Sequence, residues 1–105
     1  MAKEFWTVTE VVEIFQIDER FITDLEEEEI INPVYRKKPP AKLFPYEELE
    51  KMRLAKILME DMGVNLEGVE IILRMRENMI EMRKQFDNIL EELAQQIQDT
   101  FCRSR

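Results

Sequence analysis

Thr7-Val8-Thr9-Glu10-Val11-Val12-Glu13-Ile14-Phe15-Gln16-Ile17-Asp18-Glu19-Arg20-Phe21-Ile22-Thr23-Asp24-Leu25 is the stretch that decides the fold of this 105-residue chain. Thr7 to Glu10 fits a capping box: the threonine hydroxyl accepts from the Glu10 amide, and the glutamate reaches back to the Thr7 amide. Val8, Val11, Val12 and Phe15 then recur at helical spacing and give a short helix one apolar face. Ile17 marks a turn. Asp18 is a favourable N-cap for a second helix, in which Phe21, Ile22 and Leu25 share the inner face while Asp24, Glu26, Glu27 and Glu28 turn to water. Two short amphipathic helices across a tight turn predict a helix-turn-helix.

Working outward, Pro33 cannot continue the second helix, and the β-branched residues of Ile30-Ile31-Asn32-Pro33-Val34-Tyr35 suit a short strand. Leu43-Phe44 can return beside it, so Arg36 to Lys42, with Pro39-Pro40, reads as the loop of a two-stranded wing. Pro45 suits the start of a third helix, Glu47 and Glu48 favour its positive end, and Gly63 is a natural stop after Met62. Asn65 can cap a fourth helix. From Leu66 to Phe101 there is no proline and only Gly68, so ~36 residues at 1.5 Å each predict a helix ~54 Å long. Ile72, Met75, Met79, Met82, Phe86, Ile89 and Leu93 repeat at alternating spacings of three and four. Leu90, Leu93, Ile97 and Phe101 continue that stripe with a phase shift. This is a coiled-coil seam, and it predicts a homodimer through the C-terminal helix. The expected fold is mostly α: residues 1–62 form a winged helix-turn-helix domain, and residues 63–105 a dimerisation helix.

Composition excludes most chemistry. The chain has no histidine, one cysteine and one serine, so triads, Cys-His dyads and zinc sites lack their parts. Neither a cofactor nor a metal is expected, and no enzymatic activity. Four neighbouring glutamates on an open helix have no pocket and no second reactive group for acid-base work. The longest apolar run is three residues and Met1 to Trp6 lacks a following apolar stretch, so no membrane span or signal peptide is expected, and the protein is expected in the cytoplasm.

The net charge of -8 is unevenly placed. Residues 1–34 hold ten acids against Lys3 and Arg20, whereas residues 35–46 hold Arg36, Lys37, Lys38 and Lys42 and no acid. Asp18, Glu19, Asp24, Glu26, Glu27, Glu28 and Glu29 fall in the second helix and its exit. They are either a solvated face or a surface for a basic partner. The four wing bases either clamp a phosphate backbone or keep a strand edge soluble. Met52, Met59, Met62, Met75, Met79 and Met82 could line an adaptable groove, but at helical spacing they read as core filler. Cys102 reads as an incidental thiol.

The order helix-turn-helix, wing, third helix and long coiled coil resembles the MerR-like family over nearly the whole chain. Phe5-Trp6-Thr7-Val8-Thr9-Glu10-Val11 is similar to its opening strand and helix. Asn32-Pro33 matches the lead-in to its wing, and Phe44-Pro45-Tyr46-Glu47-Glu48-Leu49-Glu50-Lys51-Met52 resembles its third-helix start. The stretch Met62-Gly63-Val64-Asn65-Leu66-Glu67-Gly68-Val69 resembles a segment shared by the heat-shock regulator branch and the chaperone-modulator (CbpM) branch. In DNA-binding members the second helix carries an arginine followed by an aromatic, and those places here fall at Thr23 and Asp24. Asp24 and the glutamates after it would face phosphates, where like charges repel and no counterions are released.

The resemblance to the CbpM family implies a modulator, an inhibitor, of a DnaJ/CbpA-like J-domain co-chaperone. In that reading Asp18, Glu19, Asp24, Glu26, Glu27, Glu28 and Glu29 cover the basic J-domain surface and compete with Hsp70. The alternative is a MerR-family transcriptional regulator that binds DNA through Arg20, Arg36, Lys37, Lys38 and Lys42. The acidic second helix disfavours it.

Overall fold

The computed structural model describes residues 3–103. In chain order the elements are β1 (Phe5–Thr7), α1 (Val8–Phe15), α2 (Glu19–Glu27), β2 (Val34–Lys37), β3 (Pro40–Pro45), α3 (Tyr46–Lys56) and α4 (Leu66–Arg103). A π-helical turn, Ile57–Asp61, continues α3.

The capping box of α1 is complete, with the Glu10 amide donating to Thr7 Oγ1 at 3.3 Å and the Thr7 amide to Glu10 Oε1 at 3.1 Å. Gln16, at φ 53°, ends α1 in the left-handed region. The Phe15 carbonyl left open there accepts from Lys56 Nζ of α3. Asp18 does occupy the N-cap position of α2, but its carboxylate makes no capping bond. Its backbone carbonyl closes the first turn instead, accepting from the Phe21 amide at 3.0 Å. Glu29 reverses the chain after α2 with φ 58°, and the Ile30 amide returns to the Leu25 carbonyl at 2.9 Å. That reversal drives Ile30 and Ile31 into the core, so the strand expected from Ile30 begins only at Val34.

The sheet is antiparallel with order β1-β3-β2. The wing is therefore part of a three-stranded sheet rather than a two-stranded one, because β1 adds to β3 with Trp6 opposite Phe44. The expected loop from Arg36 to Lys42 is also mostly strand: Arg36 pairs with Ala41 and Lys37 with Pro40. Only Lys38 and Pro39, joined by a cis peptide bond, make the turn.

Val11, Ile22, Leu25, Ile31, Phe44 and Met52 form the centre of the core, and Val69 and Leu73 from the start of α4 close it. One compact unit extends to Leu73 and a second begins at Arg74. Gly63, at φ 69°, takes a conformation that would strain any side chain. Asn65 then caps α4, its Oδ1 accepting from the Gly68 amide at 2.8 Å. A Cβ on Gly68 would lie 2.7 Å from Val64 Cγ1 and 3.0 Å from that same Oδ1, so a side chain there must displace Val64 or loosen the cap.

The 38 residues of α4 measure ~57 Å. Ile72, Met75, Met79, Met82, Phe86, Ile89, Leu93 and Ile97 are all exposed on it. Of the methionines read as core filler, Met52 is buried and Met59 packs against the core, but Met62, Met75, Met79 and Met82 are exposed in the single chain. Spacing alone reports a shared face and cannot report whether another element covers it.

Candidate functional site: the acidic helix and the basic wing

Helix α2 has its inner face pinned by Ile22 and Leu25. Asp18, Glu19, Arg20, Thr23, Glu27, Glu28 and Glu29 are exposed around it, while Asp24 and Glu26 are half-buried. Those two are thus less free than their spacing suggests. Thr23 Oγ1 is turned back onto its own helix, donating to the Glu19 carbonyl at 3.2 Å.

The wing meets the helix at one point. Lys42 Nζ donates to both oxygens of Glu26, at 3.1 and 2.9 Å. Those hydrogen bonds raise the Lys42 pKa above its ordinary 10.5 against the opposing effect of burial, helped by the charge of Glu26 and by Tyr35 and Glu19. One predicted acid and one predicted base therefore neutralise each other. Tyr35 stands across from Lys42 in the β2–β3 register, and directly opposed residues share a sheet face, so this is the face of the wing turned to α2. Arg36 is also engaged, its Nε donating to the Pro39 carbonyl at 3.0 Å within the wing. Lys37 and Lys38 remain exposed at the tip.

A residue that the charge pattern did not single out holds this arrangement together. Glu48, read as a helix-dipole acid, is only 6% exposed. Its Oε1 accepts the Asn32 amide at 3.0 Å, which ties the lead-in of the wing to α3, and its Oε2 lies 3.0 Å from Lys51 Nζ. The signal was its place on the helix: Glu48, Met52 and Ala55 sit at i, i+4 and i+7, and all three are buried.

Against the β1 side of the sheet, Trp6 and Tyr46 pack at 6.4 Å between ring centroids and 49° between planes, within the range of a favourable tilted aromatic pair. Among the described residues, no group of three or more acids and thiols is placed to hold a metal ion, and no helix is long and apolar enough to cross a membrane.

The site is a charged protein surface, with an acidic helix face beside a hairpin whose bases are partly engaged. Comparison with curated proteins and with solved structures finds no significant match. The model of the MerR HTH family regulatory protein matches residues 6–95, a span that takes in the helix pair, the wing, α3 and most of α4. The chain belongs to the MerR HTH family of regulatory proteins.

Proposed function

We propose that the chain is a non-enzymatic cytosolic modulator that inhibits a DnaJ-type J-domain co-chaperone, covering a basic J-domain surface with α2 and competing with Hsp70 for it. One observation carries this reading: the helix that would enter the major groove in a DNA-binding member, with the residues at its two ends, exposes Asp18, Glu19, Glu27, Glu28 and Glu29 against a single exposed base, Arg20. Carboxylates so placed repel phosphates and attract a basic protein, raising encounter rate and specificity more than affinity. The contact set is Asp18, Glu19, Glu27, Glu28 and Glu29, with half-buried Asp24 at its margin and Glu26 engaged by Lys42.

The modulator acts as a homodimer through the seam Ile72, Met75, Met79, Met82, Phe86, Ile89, Leu93 and Ile97. Eight exposed apolar side chains on one helix are a large area to leave in water. Residues 74–84 carry four bases and two acids, and residues 85–103 four acids and one base. Antiparallel pairing sets these opposite halves side by side, whereas parallel pairing would set like against like.

The test is affinity for the isolated J-domain of a DnaJ/CbpA-like co-chaperone. Replacing Glu27 and Glu28 by lysine should weaken binding at least ~tenfold, the equivalent of about 1.4 kcal/mol, and should restore J-domain stimulation of the Hsp70 ATPase. Unchanged affinity rejects the acidic-face reading. Family membership supports a second reading, a DNA-binding regulator working through Arg20, Arg36, Lys37, Lys38 and Lys42. Tight binding to its own promoter duplex with a steep salt dependence would establish that one instead.

A further inference from the structure

We propose that the outer edge of β2 is a docking edge that takes up an extended acidic peptide as a fourth strand of the sheet. The order β1-β3-β2 leaves β2 paired on one side only. An antiparallel edge strand directs about half of its backbone N–H and C=O groups outward, a ready template for another strand. All four residues of β2 are exposed, so both faces of the strand are open as well as its edge. Two of the four are apolar or aromatic: Val34 is 46% exposed and Tyr35 68%. Such side chains on a free edge suit the alternate side chains of an added strand, whereas solubility alone would favour charge along the whole length.

The charges select the peptide. Arg36, Lys37 and Lys38 follow Tyr35 directly, so an added strand meets an apolar first half and a cationic second half. Its complement pairs an apolar residue beside Val34 with acidic residues beside Arg36 and Lys37, within reach of Lys38 at the turn. A polyanionic duplex fits the same surface less well. Lys42 is held by Glu26, which removes one wing cation from any anionic ligand. A duplex laid across the wing would also meet the exposed acids of α2, while a single strand along the outer edge of β2 touches the hairpin alone. This surface is separate from α2, so it stands or falls independently of the J-domain reading.

The experiment is a titration of the full chain, followed by amide NMR, with a synthetic eight-residue peptide that is valine-rich in one half and glutamate in the other. The expected result is shifts and slowed amide exchange confined to residues 34–38, and at least a tenfold loss of affinity when Lys37 and Lys38 are both replaced by glutamate. A second peptide, N-methylated at every other residue, keeps the charge but cannot complete the backbone ladder, and it should not bind. Equal binding of the N-methylated peptide, or shifts centred away from β2, overturns the proposal. So does a mixed-sequence DNA duplex that perturbs residues 34–38 at lower concentration than the peptide does. The Lys37→Glu, Lys38→Glu variant replaces exposed side chains only, and its unchanged thermal unfolding will show that lost binding is not lost folding.

Discussion

The part of the chain up to Leu73 and the helix beyond Arg74 draw on the same apolar residue types to opposite ends. In the first, Val11, Ile22, Leu25, Phe44, Met52 and Val69 are closed away from water; in the second, Met75, Met79, Met82, Phe86, Ile89 and Leu93 are all exposed. The difference is geometric. A sheet and three short helices can converge on one centre, so each apolar face finds another. A lone helix has nothing to converge on, and its stripe stays exposed in the single chain. The first region closes a core of its own, and the proposed homodimer would give the second its cover.

The largest effect should come from emptying the first region. Phe44→Ala removes a fully buried ring and should cost about 3–5 kcal/mol in chemical denaturation. A loss below about 1 kcal/mol would mean that this core is not what holds the chain together. In the second region, Phe86→Asp with Ile89→Asp should raise the dimer dissociation constant at least ~100-fold, the equivalent of about 2.7 kcal/mol, as read by sedimentation. It should leave the β-sheet amide shifts of the first region in place. A strict monomer of the unaltered chain at micromolar concentration would end the comparison, since the seam would then have no occupant.

Smaller effects test the turn that leads into α4, inside the first region. Gly63→Ala must hold a side chain at φ 69° and should cost about 1–2 kcal/mol. Gly68→Ala would ordinarily gain about 1 kcal/mol in a helix. With its Cβ meeting Val64 Cγ1 at 2.7 Å, that gain should vanish or reverse, and a rise in thermal midpoint would show that the Asn65 cap can yield.

The smallest effect belongs to the ion pair between helix and wing. Lys42→Met should cost no more than about 1 kcal/mol, since the pair is partly exposed and screened. Its pH dependence has a definite sign. The Lys42 pKa is raised above 10.5 in the fold, so its contribution is complete below 10.5 and declines as pH climbs through the folded value. On the alkaline side, stability of the unaltered chain and of Lys42→Met should therefore converge only above pH 10.5. Convergence on acidification to pH 7 would show that the pair contributes nothing.

Local signals made much of this legible. The capping box at Thr7 and Glu10, the Gly63 stop, the Asn65 cap and the unbroken helix after Leu66 each depend on residues within a few positions of one another. Their geometry follows from the backbone whatever surrounds it. The two charged surfaces were legible as composition, since the acids of α2 and the bases of the wing are contiguous in the chain. Their interaction was not. Glu26 and Lys42 are sixteen positions apart, and nothing in either segment announces the other. The same separation hid the bond from Glu48 to the Asn32 amide.

Ile30 and Ile31 show the remaining limit. Their β-branched side chains favour a strand, yet a single left-handed residue, Glu29, turns them into the core. By itself the sequence determined that this is a helix-turn-helix with a hairpin and a long helix, because periodicity and capping are short-range. Tertiary structure alone decided that β1 joins the sheet, that Lys42 disarms Glu26, and that α4 gives Val69 and Leu73 to the core. Those outcomes depend on which distant groups come within a few ångströms of each other, and only the packed chain sets those distances.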